Sequence, residues 1–187
     1  MWFVAGLGNP GKKYLNTRHN IGFNIFDSLI NKYDFTLNKK DKSKEIFKGS
    51  IDKNNFVFCK PLTYMNLVGP VINDVVNFYK IPKSNILIIH DDIDLKVGKV
   101  KVKVGGGNGG HNGLLSIDNS MGPKYKRLRI GVGRPQTKEQ VPSFVLEKFN
   151  PNDKKIINKI VNIITDKFTL IFEKESLLLT NIASSIE

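Results

Sequence analysis

The chain has three histidines, His19, His90 and His111, and each stands beside Asn or Asp, in "RHNIG", "HDDID" and "GHNG". A histidine can act as general base near neutral pH. A carboxylate can orient it and stabilise its protonated form, and Asp91, Asp92 and Asp94 are all candidates for that part. Asn9, Asn66 and Asn112 add side-chain amides that can donate to an oxyanion or read an amide group. A side-chain nucleophile is not evident: G-x-S-x-G does not occur, and the one cysteine, Cys59, lies in the strand-like run "NFVFCKP". This set suits water, activated by a histidine, attacking an ester or amide. Any one His–Asn pair is better read as hydrogen bonding that ties a loop, but the set of three is not.

Three histidines and three aspartates also raise the question of a divalent ion. Neither H-x-x-x-H nor H-x-H occurs, and "DDIDLKVG" departs from the calcium-loop pattern, so no metal is expected. Gly6-x-Gly8-x-x-Gly11 matches the spacing of a dinucleotide loop, but Pro10 lies inside it and "KKYLNTRHN" has no helical apolar period. A pyrophosphate would need a helix N-terminus at that point. No dinucleotide cofactor is expected, and these glycines read as a tight turn after a strand. Gly105, Gly107 and Gly110 repeat the spacing after a strand faced with lysines. There, Lys99, Lys101 and Lys103 with Arg127 and Arg129 could meet phosphates, or the lysines could simply protect an edge strand.

What must hold these loops in place is legible from periodicity. Residues 1–7, 45–51, 55–61, the continuous apolar run "NILIIHDDID", "GKVKVKV" and "YKRLRIGVG" read as strands, and residues 35–45 as an exposed Lys-rich connection. Residues 21–33, 68–79 and 112–120 read as helices, and 151–174 as one long helix. Strands alternating with helices predict an α/β fold: a single domain over 1–187, with a twisted mixed, largely parallel sheet flanked by helices and a C-terminal helix. In such sheets sites form outside the carboxyl ends of the strands. The loops "LGNPG", "KPLTYMN", "HDDID" and "GGGNGGHNG" each begin where an apolar strand ends, and parallel strands would bring all four to one edge.

Lys and Arg number 29 against 17 Asp and Glu, a formal charge of +12. That balance favours polyanionic partners, nucleic acid before a membrane surface. No apolar run approaches the ~20 residues of a membrane span, and no secretory signal is evident. A cytosolic protein is expected.

Together "GLGNPG" with "TRHN", "TYMN", "HDDIDL", "GGGNGGHNGL" and "RLRIGVGRP", in this order, resemble bacterial-type peptidyl-tRNA hydrolases, across residues 3–150. The resemblance implies a monomeric hydrolase without cofactor that cleaves the ester between a peptide and the 3′-terminal ribose of tRNA. It implies His19 as the base, Asp91 as its supporting carboxylate and Asn9 as the residue separating N-blocked from free aminoacyl-tRNA. Tyr14, Tyr64, Asn66 and Asn112 match substrate-contacting positions, and Lys103 and Arg129 a clamp on the tRNA 5′-phosphate. Tyr64 stands where Phe is common, and Asn108 replaces a frequent His. The rival reading is a non-catalytic RNA-binding protein of the same fold, which the basic charge suits equally.

Overall fold

The computed structural model describes residues 1–186. In chain order the elements are β1 (Trp2–Gly6), α1 (Ile21–Lys32), β2 (Thr36–Lys40), β3 (Lys44–Ile51), β4 (Asn54–Pro61), α2 (Val68–Phe78), β5 (Ile86–Asp92), β6 (Val100–Val104), α3 (Asn112–Met121), β7 (Lys126–Gly131), α4 (Val141–Val145), α5 (Pro151–Asp166), α6 (Leu170–Glu173) and α7 (Glu175–Ile186). The seven strands form one sheet in the order β2-β3-β4-β1-β5-β7-β6. The four central strands β4, β1, β5 and β7 run parallel, and β2, β3 and β6 are added antiparallel at the two sides.

The central strands are apolar on both sides because helices cover both faces. On one face Val4, Leu87, Ile89 and Leu128 pack with Ile25 and Leu29 of α1 and Ile160 and Ile164 of α5. On the other, Phe3, Ala5, Ile86 and Ile88 pack with Val68, Ile72 and Val75 of α2 and Ile117 of α3. The alternation Phe3, Val4, Ala5 between the two cores follows from the two-residue period of a strand. No helix among the described residues is long and apolar enough to cross a membrane.

Two segments differ from the periodicity reading. Residues 36–40 are the edge strand β2, not a connection: all five residues are exposed, and a bulge lies between Leu37 and Lys39. Backbone pairing to β3 makes this strand, so its side chains carry no alternation. The long C-terminal helix also stops at Asp166, with no Gly or Pro to mark the end. Lys167 leaves the helical conformation, and Phe168 turns inward, fully buried, 5.8 Å from the rings of Phe56 and Phe58. A core contact overrides the local helical preference.

The start of α1 fixes the position of what precedes it. A Cβ on Gly22 would lie 2.4 Å from Ile89 O and Leu7 N, so only glycine lets this turn rest on the backbone of β5 and of the residue that follows β1. His19 lies three residues before that contact.

Candidate active site

Asp91 is the penultimate residue of β5, and its side chain is buried. Its Oδ1 receives two imidazoles: Nδ1 of His19 and Nε2 of His111, each at 2.9 Å. His111 caps α3, and its Nδ1 accepts the backbone N–H of Gly113 and Leu114 at 3.1 and 3.3 Å. Its Nε2 therefore carries the proton and donates to Asp91. His19 donates from Nδ1, which leaves Nε2 as the ring's lone pair.

The electrostatics follow from this pairing. Burial disfavours a charged His19, but the charge of Asp91 and its hydrogen bond outweigh burial and raise the pKa above the ordinary 6.5. Burial alone would favour a neutral Asp91. The electrostatic attraction of the ring N–H groups, His19 before His111, and the two hydrogen bonds they donate win, holding the carboxyl well below the usual range. His90 is different. Burial and the neighbouring His111 push it down to about 3, its Nδ1 is bound to the carbonyl of Asp91 at 2.6 Å, and Nε2 has no protein partner. It is neutral at ordinary pH and makes no hydrogen bond to His19 among the described residues.

The turn Arg18–Asn20 that carries His19 is pinned from both sides. Arg18 is buried, stacks on Phe144 with its guanidinium carbon 4.0 Å from the ring centroid, and donates to the carbonyls of Phe144 and Lys148 at 3.2 Å. Asn20 reaches back to Asn9: its Oδ1 accepts Asn9 N at 2.8 Å and its Nδ2 donates to Asn9 O at 2.9 Å. Asn9 Oδ1 accepts the backbone N–H of Met65 at 2.8 Å. This last bond fixes the amide's orientation and leaves Nδ2, with two N–H groups, free of protein partners among the described residues. Asn20 is the Asn beside His19 in "RHNIG", and it ties the loop as the reading of a single His–Asn pair expects. Periodicity gave no sign of Arg18, and the only hint was a cation inside "TRHN".

Asn66 follows Met65, and Asn112 precedes Gly113; both Asn side chains are exposed. The two segments touch, since a Cβ on Gly113 would lie 2.5 Å from Met65 Sδ. Tyr14 is half-buried in the turn before Thr17, and Tyr64 is exposed beside Met65.

Three of the four expected loops arrive at one edge as parallel strands require: those after β1, β4 and β5. The glycine run takes another route. β6 is antiparallel to β7, with Val104 opposite Lys126, so residue 105 starts at the far edge of the sheet. The run then crosses the sheet face to bring His111 to Asp91. Gly105, Gly106, Gly109 and Gly110 hold positive φ, which suits glycine alone, and Arg127 fastens the run by donating to the carbonyls of Gly107 and Gly106 at 2.8 and 2.9 Å. Arg127 is buried and also pairs with Asp118, so the expectation that it meets phosphate is corrected: both terminal nitrogens are engaged by the protein and its Nε is buried out of reach. Arg129 donates only its Nε, to Asp92 at 2.7 Å. Lys103 is exposed, and Lys101 lies opposite Arg129 in the ladder. A cavity of about 400 Å³ runs from His19 and Asp91 to Lys103, Arg129 and Arg134.

His19, Asp91 and His111 bring ligand-type atoms within 4.8 Å of one another. The donor chemistry does not suit a metal. His111 Nδ1 accepts two backbone N–H groups, so a metal on Nε2 would require an imidazole without any proton. Cys59 is buried in β4 with its thiol pushed up to about 12 by burial, and His19 makes no hydrogen bond to a Ser, Thr or Cys among the described residues.

Such a sheet, with a buried His–carboxylate pair at the carboxyl edge of its parallel strands and a cavity edged by lysine and arginine beside it, belongs to an α/β protein of hydrolytic type. The chain is a member of the peptidyl-tRNA hydrolase family, whose model matches residues 3–185. It is 48% identical to a peptidyl-tRNA hydrolase of Rickettsia canadensis over 176 residues, 94% of this chain and 95% of that one. With that of Rickettsia prowazekii it shares 44% over 182 residues, 97% and 98% of the two chains. The crystal structure of a point mutant of the Acinetobacter baumannii peptidyl-tRNA hydrolase superposes with a TM-score of 0.90 at 37% identity, covering 97% of this chain and 94% of that one.

Proposed function

We propose that this protein hydrolyses the ester joining a peptide, or an N-blocked aminoacyl group, to the 3′-terminal ribose of tRNA, with His19 as general base and Asp91 as its support. Nε2 of His19 takes a proton from water as the water oxygen attacks the ester carbonyl. The imidazolium that forms is stabilised through Nδ1 by Asp91, and it returns the proton to the departing ribose oxygen. His111 keeps Asp91 ionised and fixed by donating to the same oxygen. The free Nδ2 of Asn9 donates to the substrate's peptide group, with Asn66 and Asn112 as further amide contacts and Tyr14 and Tyr64 as contacts to the acyl-nucleotide end. Lys103 and Arg129 hold the tRNA 5′-phosphate. The protein acts as a cytoplasmic monomer, one domain, without cofactor or membrane.

The observation that carries this reading is the 2.9 Å contact of His19 Nδ1 with the buried Asp91, which points the basic nitrogen away from the carboxylate. The test is release of deacylated tRNA from N-acetyl-aminoacyl-tRNA by the purified protein. Binding without release would return the protein to the non-catalytic RNA-binding class.

A further inference from the structure

Arg127 and Arg129 lie two residues apart on β7 and are used differently. Arg127 spends both terminal nitrogens on the glycine run. Arg129 gives only Nε to Asp92 Oδ2, so its two terminal nitrogens have no protein partner among the described residues. Asp92 is itself fixed, because its Oδ1 accepts the backbone N–H of Asp94 at 2.9 Å. A carboxylate held at both oxygens thus sits 2.7 Å from the cation proposed to receive phosphate, in the wall of the same cavity.

We propose that Asp92 is a specificity-setting residue that holds down the phosphate affinity of Arg129 so that tRNA is released after reaction. This rests on the reading of Lys103 and Arg129 as the 5′-phosphate clamp. Hydrolysis of the 3′ ester leaves the 5′-phosphate untouched, so whatever the clamp gives to substrate binding it gives equally to the product. Such uniform binding lowers KM without speeding the chemical step. A terminal phosphate carries about −1.5 to −2 charge near neutral pH. The Asp92 charge repels it at close range while its hydrogen bond keeps the guanidinium aimed. Aim and strength are thereby set by one side chain. The pair is partly exposed, with side-chain exposures of 22% for Arg129 and 12% for Asp92, so the repulsion is reduced by solvent but not abolished.

Asp92→Asn keeps an oxygen able to accept from Arg129 Nε and removes the charge; Asp92→Ser removes it too and keeps a small acceptor. Binding of deacylated tRNA is measured with a 5′-phosphate and with a 5′-hydroxyl. Both variants should bind the 5′-phosphorylated tRNA on the order of three- to tenfold more tightly than the parent does, with a smaller change for the 5′-hydroxyl form. In an Arg129→Ala background the same exchange should change affinity by less than about twofold. Unchanged or weaker binding of the phosphorylated tRNA overturns the proposal, as does an undiminished gain in the Arg129→Ala background. If the parent protein binds both tRNAs equally, the clamp reading fails first and Asp92 loses its role with it, a signature distinct from either.

Discussion

Nδ1 of His19 lies 2.9 Å from Oδ1 of Asp91, and the same oxygen receives the N–H of His111. The carboxylate thereby decides which ring nitrogen of His19 carries its proton and where its lone pair points. Because Asp91 belongs to a central strand and His19 to a turn braced by Arg18 and Asn20, neither side chain moves freely. Their geometry is set before substrate arrives, as a general base requires.

His19→Ala is expected to lower kcat about 10²- to 10⁴-fold, the usual worth of a general base, while tRNA affinity and fold are nearly retained. Single-turnover hydrolysis of N-acetyl-aminoacyl-tRNA checks this. Turnover close to the parent's would remove His19 from the mechanism.

Asp91→Asn should slow turnover far more than Asp92→Asn or Asp94→Asn, because the amide cannot compensate the imidazolium charge. The pH profile gives an independent sign. In the parent, activity should rise with pH through a His19 pKa raised above 6.5, since only the neutral ring accepts a proton. Without the Asp91 charge, burial dominates and the pKa falls, so the acid limb of the slower variant should move to lower pH. Stability moves the other way in the parent: the His19 contribution is complete below about 6.5 and is lost as pH rises through the raised folded value.

Asn9→Asp is expected to lower kcat/KM on N-acetyl-aminoacyl-tRNA and to narrow its advantage over the unblocked substrate. The parent amide, held by Met65 N–H, presents only donors, which suit a peptide carbonyl and not an ammonium. An unsatisfied polar group costs about 1–3 kcal/mol, so one such contact supplies on the order of 10- to 100-fold discrimination. The ratio of kcat/KM for the two substrates on one tRNA is the measurement. An unchanged ratio would assign the selectivity elsewhere.

Replacing Lys103 and Arg129 together by Ala should raise KM and flatten its dependence on salt, because fewer counterions are released on binding. A short substrate lacking most of the tRNA should not register the change. Equal losses on both substrates would count against phosphate contacts.

Arg127→Ala should behave unlike Arg129→Ala despite the two-residue spacing. It frees the glycine run from the sheet face and leaves Asp118 without its cation. Breaking a buried pair typically costs about 3–5 kcal/mol. A clear fall in Tm is expected, along with a lower kcat because His111 and Asn112 lose their support. A variant with parental Tm and a change confined to KM would make Arg127 a phosphate ligand after all.

Sequence alone determined the elements with strong periodicity and the residue types at the ends of the apolar strands. The continuous apolar run of β5 predicted a covered central strand, β1 and β4 also read as strands, and the meeting of their three loops at one edge follows once the strands run parallel. The motifs also pointed to His19, Asp91 and Asn9 through their resemblance to a family. Weak local signals misled where long-range pairing decides: β2 exists because β3 offers it a backbone partner, and α5 ends because Phe168 is drawn into the core. Tertiary structure alone decided the rest of the site. That His111 shares the oxygen of Asp91, that Arg127 clasps glycines while Arg129 stays open, and that Met65 orients the amide of Asn9 all depend on residues 20 or more positions apart. The antiparallel direction of β6 sends the glycine run across the sheet. Spacing along a chain sets what neighbours can do to each other, but the direction of a strand and the tautomer of a ring are fixed by partners that only folding supplies.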